Sequence, residues 1–191
     1  MISIKRLSII ALLLGTTACT TILTQTTGED GIREDPYLRT AGTVVEDESI
    51  ETKIVVNMRS RQEAFRDASF DVVSHNGVVL LAGQVQSDAL KNEATQIASE
   101  ASVHVRRVHN EMEVAGRRSL LSRGNDSWLA TKVRTQLTAN DGINANRMRV
   151  VANNGTIYLM GIVGRNEGSR ATELARSVGG VQRVVNVFEY L

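Results

Sequence analysis

Three sets of residues could do chemistry. His75, His104 and His109 are the only histidines, and Cys19 is the only cysteine. The only tryptophan, Trp128, lies four residues before Lys132 in NDSWLATKVRTQL. Read as one strand, His104 and His109 are an odd number of residues apart and face opposite ways, so they cannot share a metal ion. His75, beside Asn76-Gly77, reads most simply as a turn residue. Neither SHNG nor ANNG resembles a nucleophile elbow, and there is no P-loop or dinucleotide fingerprint. GIVG at 161–164 is too short a signal to count. The sequence therefore offers no catalytic set, no metal site and no cofactor site. A single cysteine permits no intrachain disulfide.

A tryptophan beside a lysine suits a different task. An indole is amphipathic and belongs at a membrane–water boundary. Spacing tests its direction. On a helix with Trp128 at the origin, Leu129, Val133, Leu137 and Ala130 lie between about 100° and 200°, as one apolar stripe. Trp128 points away from that stripe, in what reads as the first turn of the helix. Its angular neighbours are Thr135, Lys132 and Thr131, with Ser127 and Arg134 on the flank. Arg123 lies just upstream. The surface this makes fits an anionic bilayer: the ring enters the head-group region and the cations meet phosphates. Two other readings stay open. The ring could dock on Leu120-Leu121 or on a neighbouring domain, or it could be exposed without a role.

The elements that position this helix come from a repeat. FDVVSHNGVVLLAGQV (70–85) aligns with MRVVANNGTIYLMGIV (148–163), and VRRVHN (105–110) with VQRVVN (181–186). The offset drifts from 79 to 76 residues, as in a duplicated module with small loop changes. Ile50, Ile54 and Met58 repeat the stripe of Leu129, Val133 and Leu137, whereas Ser49 stands where copy two has Trp128. The indole is therefore not a shared packing requirement. Each copy reads as helix, two strands joined by Asn-Gly, helix and strand. The helices fall at 87–100 and 165–178, the closing strands at 103–114 and 181–190. That order gives an α+β fold of two tandem αββαβ domains, each a three-stranded sheet with two helices on one face. The uncovered faces hold Val78, Leu80 and Ala82 in one copy and Tyr158 and Met160 in the other. They are apolar enough to bury against each other or against a partner protein, and packing between the two domains is the preferred reading.

Gly-x-Val/Ile-x-Leu-x-Gly-x-Val, a helix with Ala, then Val-x-x-Val-x-Asn resembles the BON domain (bacterial osmotic-shock and nodulation). Copy one departs from it where His104 stands in place of the glycine that is Gly180 in copy two. Residues 1–18 read as a signal peptide: Lys5 and Arg6, an apolar run from Leu7 to Leu14, then small residues. That run is too short to span a bilayer. GTTA before Cys19 resembles a lipobox, with Thr16 where leucine is usual; the bland alternative is a secreted protein with an incidental thiol. The expected organisation is signal peptide 1–18, lipidated Cys19 and flexible tether 19–45, BON domain 1 over 46–115, linker 116–124 and BON domain 2 over 125–191.

The whole resembles the dual BON-domain outer-membrane lipoproteins, the division- and outer-membrane-localised phospholipid-binding family. The resemblance implies a lipid-anchored (palmitate-bearing) protein on the periplasmic face of the outer membrane. It also implies anionic phospholipid binding by the second domain, of phosphatidylglycerol or cardiolipin type, and a role in envelope integrity and cell division. Thr20 after the cysteine agrees with outer-membrane sorting. An adaptor for outer-membrane β-barrel assembly proteins, using the same helix or the open sheet face, is the alternative. Charge is uneven beneath a net of +1: residues 46–115 hold twelve acids and seven bases, residues 116–191 five acids and eleven bases. A basic end suggests an anionic partner, or the two halves complement each other. In the periplasm that partner is phospholipid and not nucleic acid, despite GRR and SRG near 116–124.

Overall fold

In the computed structural model, residues 35–115 and 120–191 are described, except for the side chains of 120–123. The signal peptide, Cys19, Thr20 and the start of the expected linker lie outside the described residues. Copy one runs α1 (Ala41–Arg61), a short α2 (Glu63–Asp67), β1 (Ser69–His75), β2 (Val78–Val85), α3 (Asp88–Glu100) and β3 (Arg107–Val114). Copy two runs α4 (Leu120–Thr138), a single 3₁₀ turn (Ala145–Arg147), β4 (Met148–Asn153), β5 (Thr156–Val163), α5 (Arg165–Ser177) and β6 (Arg183–Tyr190).

The Asn-Gly steps fix the hairpins. Asn76 and Gly77 have φ of 54° and 72°, and Asn154 and Gly155 have 50° and 72°. Two successive left-handed residues make the two-residue turn whose twist matches the strands on either side. His75 therefore closes against Val78, and Asn153 against Thr156. After each crossover helix, the last strand pairs parallel to the hairpin's second strand, giving the orders β1-β2-β3 and β4-β5-β6.

Alternation along the strands divides the apolar side chains between two layers. Val79 and Leu81 face the helices and join Ile50, Ile54, Met58 and Ile97 in the first core. Ile157 and Leu159 join Leu129, Val133, Leu137 and Phe188 in the second. The opposite faces meet each other. Val73, Val78, Leu80 and Ala82 form a third cluster with Tyr158, Met160 and Val187. The sheet faces that the helices leave uncovered therefore cover one another, as the preferred reading of the sequence has it, so neither is free for an adaptor role. Burying a large apolar side chain contributes roughly 1.5–3 kcal/mol, so this layer ties the two domains firmly. Charge complementarity adds to it: Arg149 pairs with Glu51 at 2.9 Å, Arg183 with Glu111 at 3.6 Å and Arg106 with Glu189 at 2.6 Å. The acidic middle and basic end are thus partly matched within the chain.

Several boundaries differ from the sequence reading. α1 starts at Ala41, inside the stretch expected to be tether, because Thr40 caps it by accepting from the Thr43 amide at 3.1 Å. The residues just before it are also tied down: Arg39 pairs with Asp47 at 2.8 Å, and the Tyr37 ring lies 4.6 Å under the Arg147 guanidinium. α4 starts at Leu120, inside the expected linker, so Trp128 sits in the third turn and not the first. The short α2, anchored by buried Phe65, was not anticipated. β3 begins at Arg107, not 103, because Ser102 accepts from the amides of His104 and Val105 and forms a turn there. His104 is thus in a loop, and the opposite-face argument for the two histidines does not apply to it.

Candidate functional site

α4 is fixed from below and from one side. Leu129, Val133 and Leu137 are at most 5% exposed and fill the second core. Buried Asp126 accepts from the amides of Asn154 and Gly155, each at 3.1 Å, which fastens the helix to the β4–β5 turn. Copy one repeats the device. Asp47 accepts from the amides of Asn76 at 2.8 Å and Gly77 at 2.9 Å, and from Ser74 Oγ at 2.6 Å. Burial alone would raise the Asp47 carboxyl. Hydrogen bonds from Ser74, Gly77, Arg39 and Asn76 outweigh that and hold it below the ordinary carboxylate range. Sequence reasoning missed this pair, although Asp47 and Asp126 are 79 residues apart, the offset of the first helices.

With one side of α4 buried, the other faces solvent. Trp128 is 61% exposed, as the helical spacing requires. Lys132 Nζ lies 4.9 Å from the ring centroid and donates to the Gly179 carbonyl at 2.9 Å. That bond leaves two ammonium N–H groups for another acceptor. A cation over an indole face is attracted by the ring quadrupole, by about 0.5–1 kcal/mol at an exposed site. Beside Trp128 is a shallow concavity of about 300 Å³, bounded by Asn125, Asn154, Gly155, Gly180 and Gln182. Gly180 adopts φ of +105°, and a Cβ there would press on the Leu129 side chain. This is the position where copy one carries His104.

The other residues of the expected surface divide. Arg134 is exposed and has no ion pair among the described residues. Thr131 donates to the Ser127 carbonyl at 2.9 Å and Thr135 to the Thr131 carbonyl at 3.0 Å. Their hydroxyl protons are therefore directed into the helix, and toward a ligand they present acceptors only. Ser127 is exposed at the edge of this surface. The side chains of Arg123, Leu120 and Leu121, and with them the expected docking of Trp128 on the two leucines, lie outside the described residues. The surface therefore consists of one indole and two cations, with neutral oxygens between them.

No group of three or more His, Cys, Asp or Glu that could hold a metal ion occurs among the described residues. His75 is 6% exposed in β1. Burial, with the nearby Arg39 and Arg149 charges, pushes it down to about 4, against the opposing pull of Asp47. It is a neutral core residue at neutral pH. No helix among the described residues is long and apolar enough to cross a membrane.

The BON domain family matches residues 46–116 and again residues 125–191. The chain belongs to the BON-domain family. As a dual BON-domain chain it is similar to outer membrane lipoprotein DolP of Haemophilus influenzae, with 32% identity over 160 residues, 84% of this chain and 81% of the relative. It is 31% identical to the 21 kDa hemolysin of Actinobacillus pleuropneumoniae, covering 80% of this chain and 78% of the relative. Osmotically-inducible protein Y of Escherichia coli is 26% identical over 85% of this chain and 82% of its own length. Two BON domains and these relatives place the chain among the dual BON-domain outer-membrane lipoproteins.

Proposed function

We propose that this protein is a non-enzymatic lipoprotein of the outer membrane, held on its periplasmic face through Cys19. In this reading it binds anionic phospholipid through the outer face of α4 and supports envelope integrity, including during cell division. The observation that carries the reading is the exposed Trp128, turned away from the Leu129–Val133–Leu137 core and paired with Lys132. An exposed indole beside Lys132, with Arg134 exposed on the same helix, matches the chemistry of a phosphatidylglycerol or cardiolipin surface. The lipid anchor keeps the protein at the bilayer, and the helix selects anionic regions by weak, reversible contact.

The test is flotation of residues 20–191, which include every described residue, with vesicles of phosphatidylcholine alone or mixed with phosphatidylglycerol. Binding should rise with anionic content and fall in Trp128→Glu. Lys132→Ala and Arg134→Ala should each lower it by about fivefold, from roughly 1 kcal/mol per cation near such a surface. Binding insensitive to both lipid charge and Trp128→Glu would contradict the reading and leave a protein partner for the same helix.

A further inference from the structure

A groove of about 540 Å³ lies between the two domains, and its sides are strand edges. β1 and β4 each stand at the end of their sheet. In a two-residue hairpin the closing pair exchanges both main-chain hydrogen bonds. His75, Val73 and Asp71 therefore direct theirs to β2, while Ser74, Val72 and Phe70 direct theirs outward. The Ser74 amide obeys this parity, donating to Glu51 Oε1 at 2.9 Å. From Asn153↔Thr156, the same alternation turns Ala152 and Val150 outward from β4. Phe70, Val72, Val150 and Ala152 all line the groove, with Val55 of α1 and Ala130 of α4 as walls.

The edges run in opposite directions. Asn153 Nδ2 donates to Asp71 Oδ2 at 3.3 Å at one point. Farther along, Glu51, which caps Ser74, pairs with Arg149. The two edges do not pair with each other. Outward amides and carbonyls call for hydrogen-bonding partners, which an acyl chain cannot supply and an extended peptide can. The groove is continuous with the apolar layer between the sheets through Val73 and Val151. Its charge is one-sided. Glu51 neutralises Arg149, whereas the exposed Asp71 carboxylate has only the Asn153 amide as partner among the described residues.

We propose that the groove between β1 and β4 accepts an extended peptide segment of a partner protein, with small apolar residues in alternation and a basic residue to meet Asp71, added by main-chain hydrogen bonding. This site is centred on the β1 and β4 edges, meets the Trp128 surface only at its margin through Ser127, and does not depend on phospholipid binding. The test uses residues 20–191 and a synthetic peptide alternating valine and threonine, with a lysine at each end. Hydrogen exchange followed by NMR should show the amides of Val72, Val150 and Ala152 slowed about tenfold or more at saturating peptide. The same peptide N-methylated at alternate amides should not bind, and Ala130→Arg should weaken binding of the parent peptide. Three results would overturn the proposal: unchanged exchange of those amides up to millimolar peptide, equal binding of the N-methylated peptide, or protection of the same amides by palmitate in place of peptide.

Discussion

Asp47 and Asp126 occupy the same position in the two copies, and each holds the Asn-Gly turn of its own hairpin through two backbone amides. The turn needs left-handed residues, and the helix needs a fixed seat over its sheet. One carboxylate serves both. Removing it from copy one leaves two amides, the Ser74 hydroxyl and Arg39 without an acceptor. Asp47→Ala should therefore destabilise by about 3 kcal/mol, as for other buried, hydrogen-bonded charges. Urea unfolding of the variant measures it. Asp126→Ala should lower lipid binding as well as stability, because the seat of the Trp128 helix loosens.

Trp128 and Leu129 are adjacent in sequence and opposite in environment. Trp128→Ala should change stability by less than about 0.5 kcal/mol, the range for exposed positions. Leu129→Ala should cost about 2–5 kcal/mol, as for a filled core site. Thermal unfolding of both variants separates the two roles, and an equal loss would show that the indole is packed.

The two domains should unfold together. Cleavage between residues 116 and 119, followed by size exclusion, should leave the halves associated through Leu80, Tyr158 and Met160. Met160→Lys places a charge in that layer and should both separate the nicked halves and split the single unfolding transition in the intact chain.

His75 predicts the acid limb of stability. Its folded value lies near 4, below the ordinary value of 6.5. The unfolded chain therefore takes up a proton that the native state refuses. The resulting stability is fully present above pH 6.5 and is lost as the pH falls from there toward 4, with a slope of at most about 1.4 kcal/mol per pH unit. His75→Gln should flatten that slope in urea melts taken across this window.

The hairpins, the αββαβ order and the division of each strand between two layers were legible in the sequence. Asn-Gly and period-two alternation are local signals that tertiary packing had no cause to override. The outward direction of Trp128 was equally legible, because helical spacing and the serine at the matching position of copy one agreed. The start of α4 was not. GRRSLLSRG lies outside the aligned repeat and carries glycine at both ends, so nothing marked Leu120 as helical. The exposed threonines read as part of the lipid-facing strip because spacing gives direction, whereas only coordinates show that their protons are directed at helix carbonyls. Asp47 and Asp126 escaped notice because acidic residues near a helix start read as ordinary surface charge, even though the repeat aligns them.

Trp128 is the only tryptophan, so intrinsic fluorescence reports this one side chain. The decisive measurement is its emission as residues 20–191 are titrated with phosphatidylglycerol vesicles, and separately with phosphatidylcholine vesicles. Insertion of the Trp128 ring into the head-group region predicts a blue shift, and quenching by lipid-borne bromine, with the anionic vesicles only. Emission unchanged in the presence of saturating anionic vesicles would place the ring in water throughout and contradict the assignment of α4 as the membrane-contacting element.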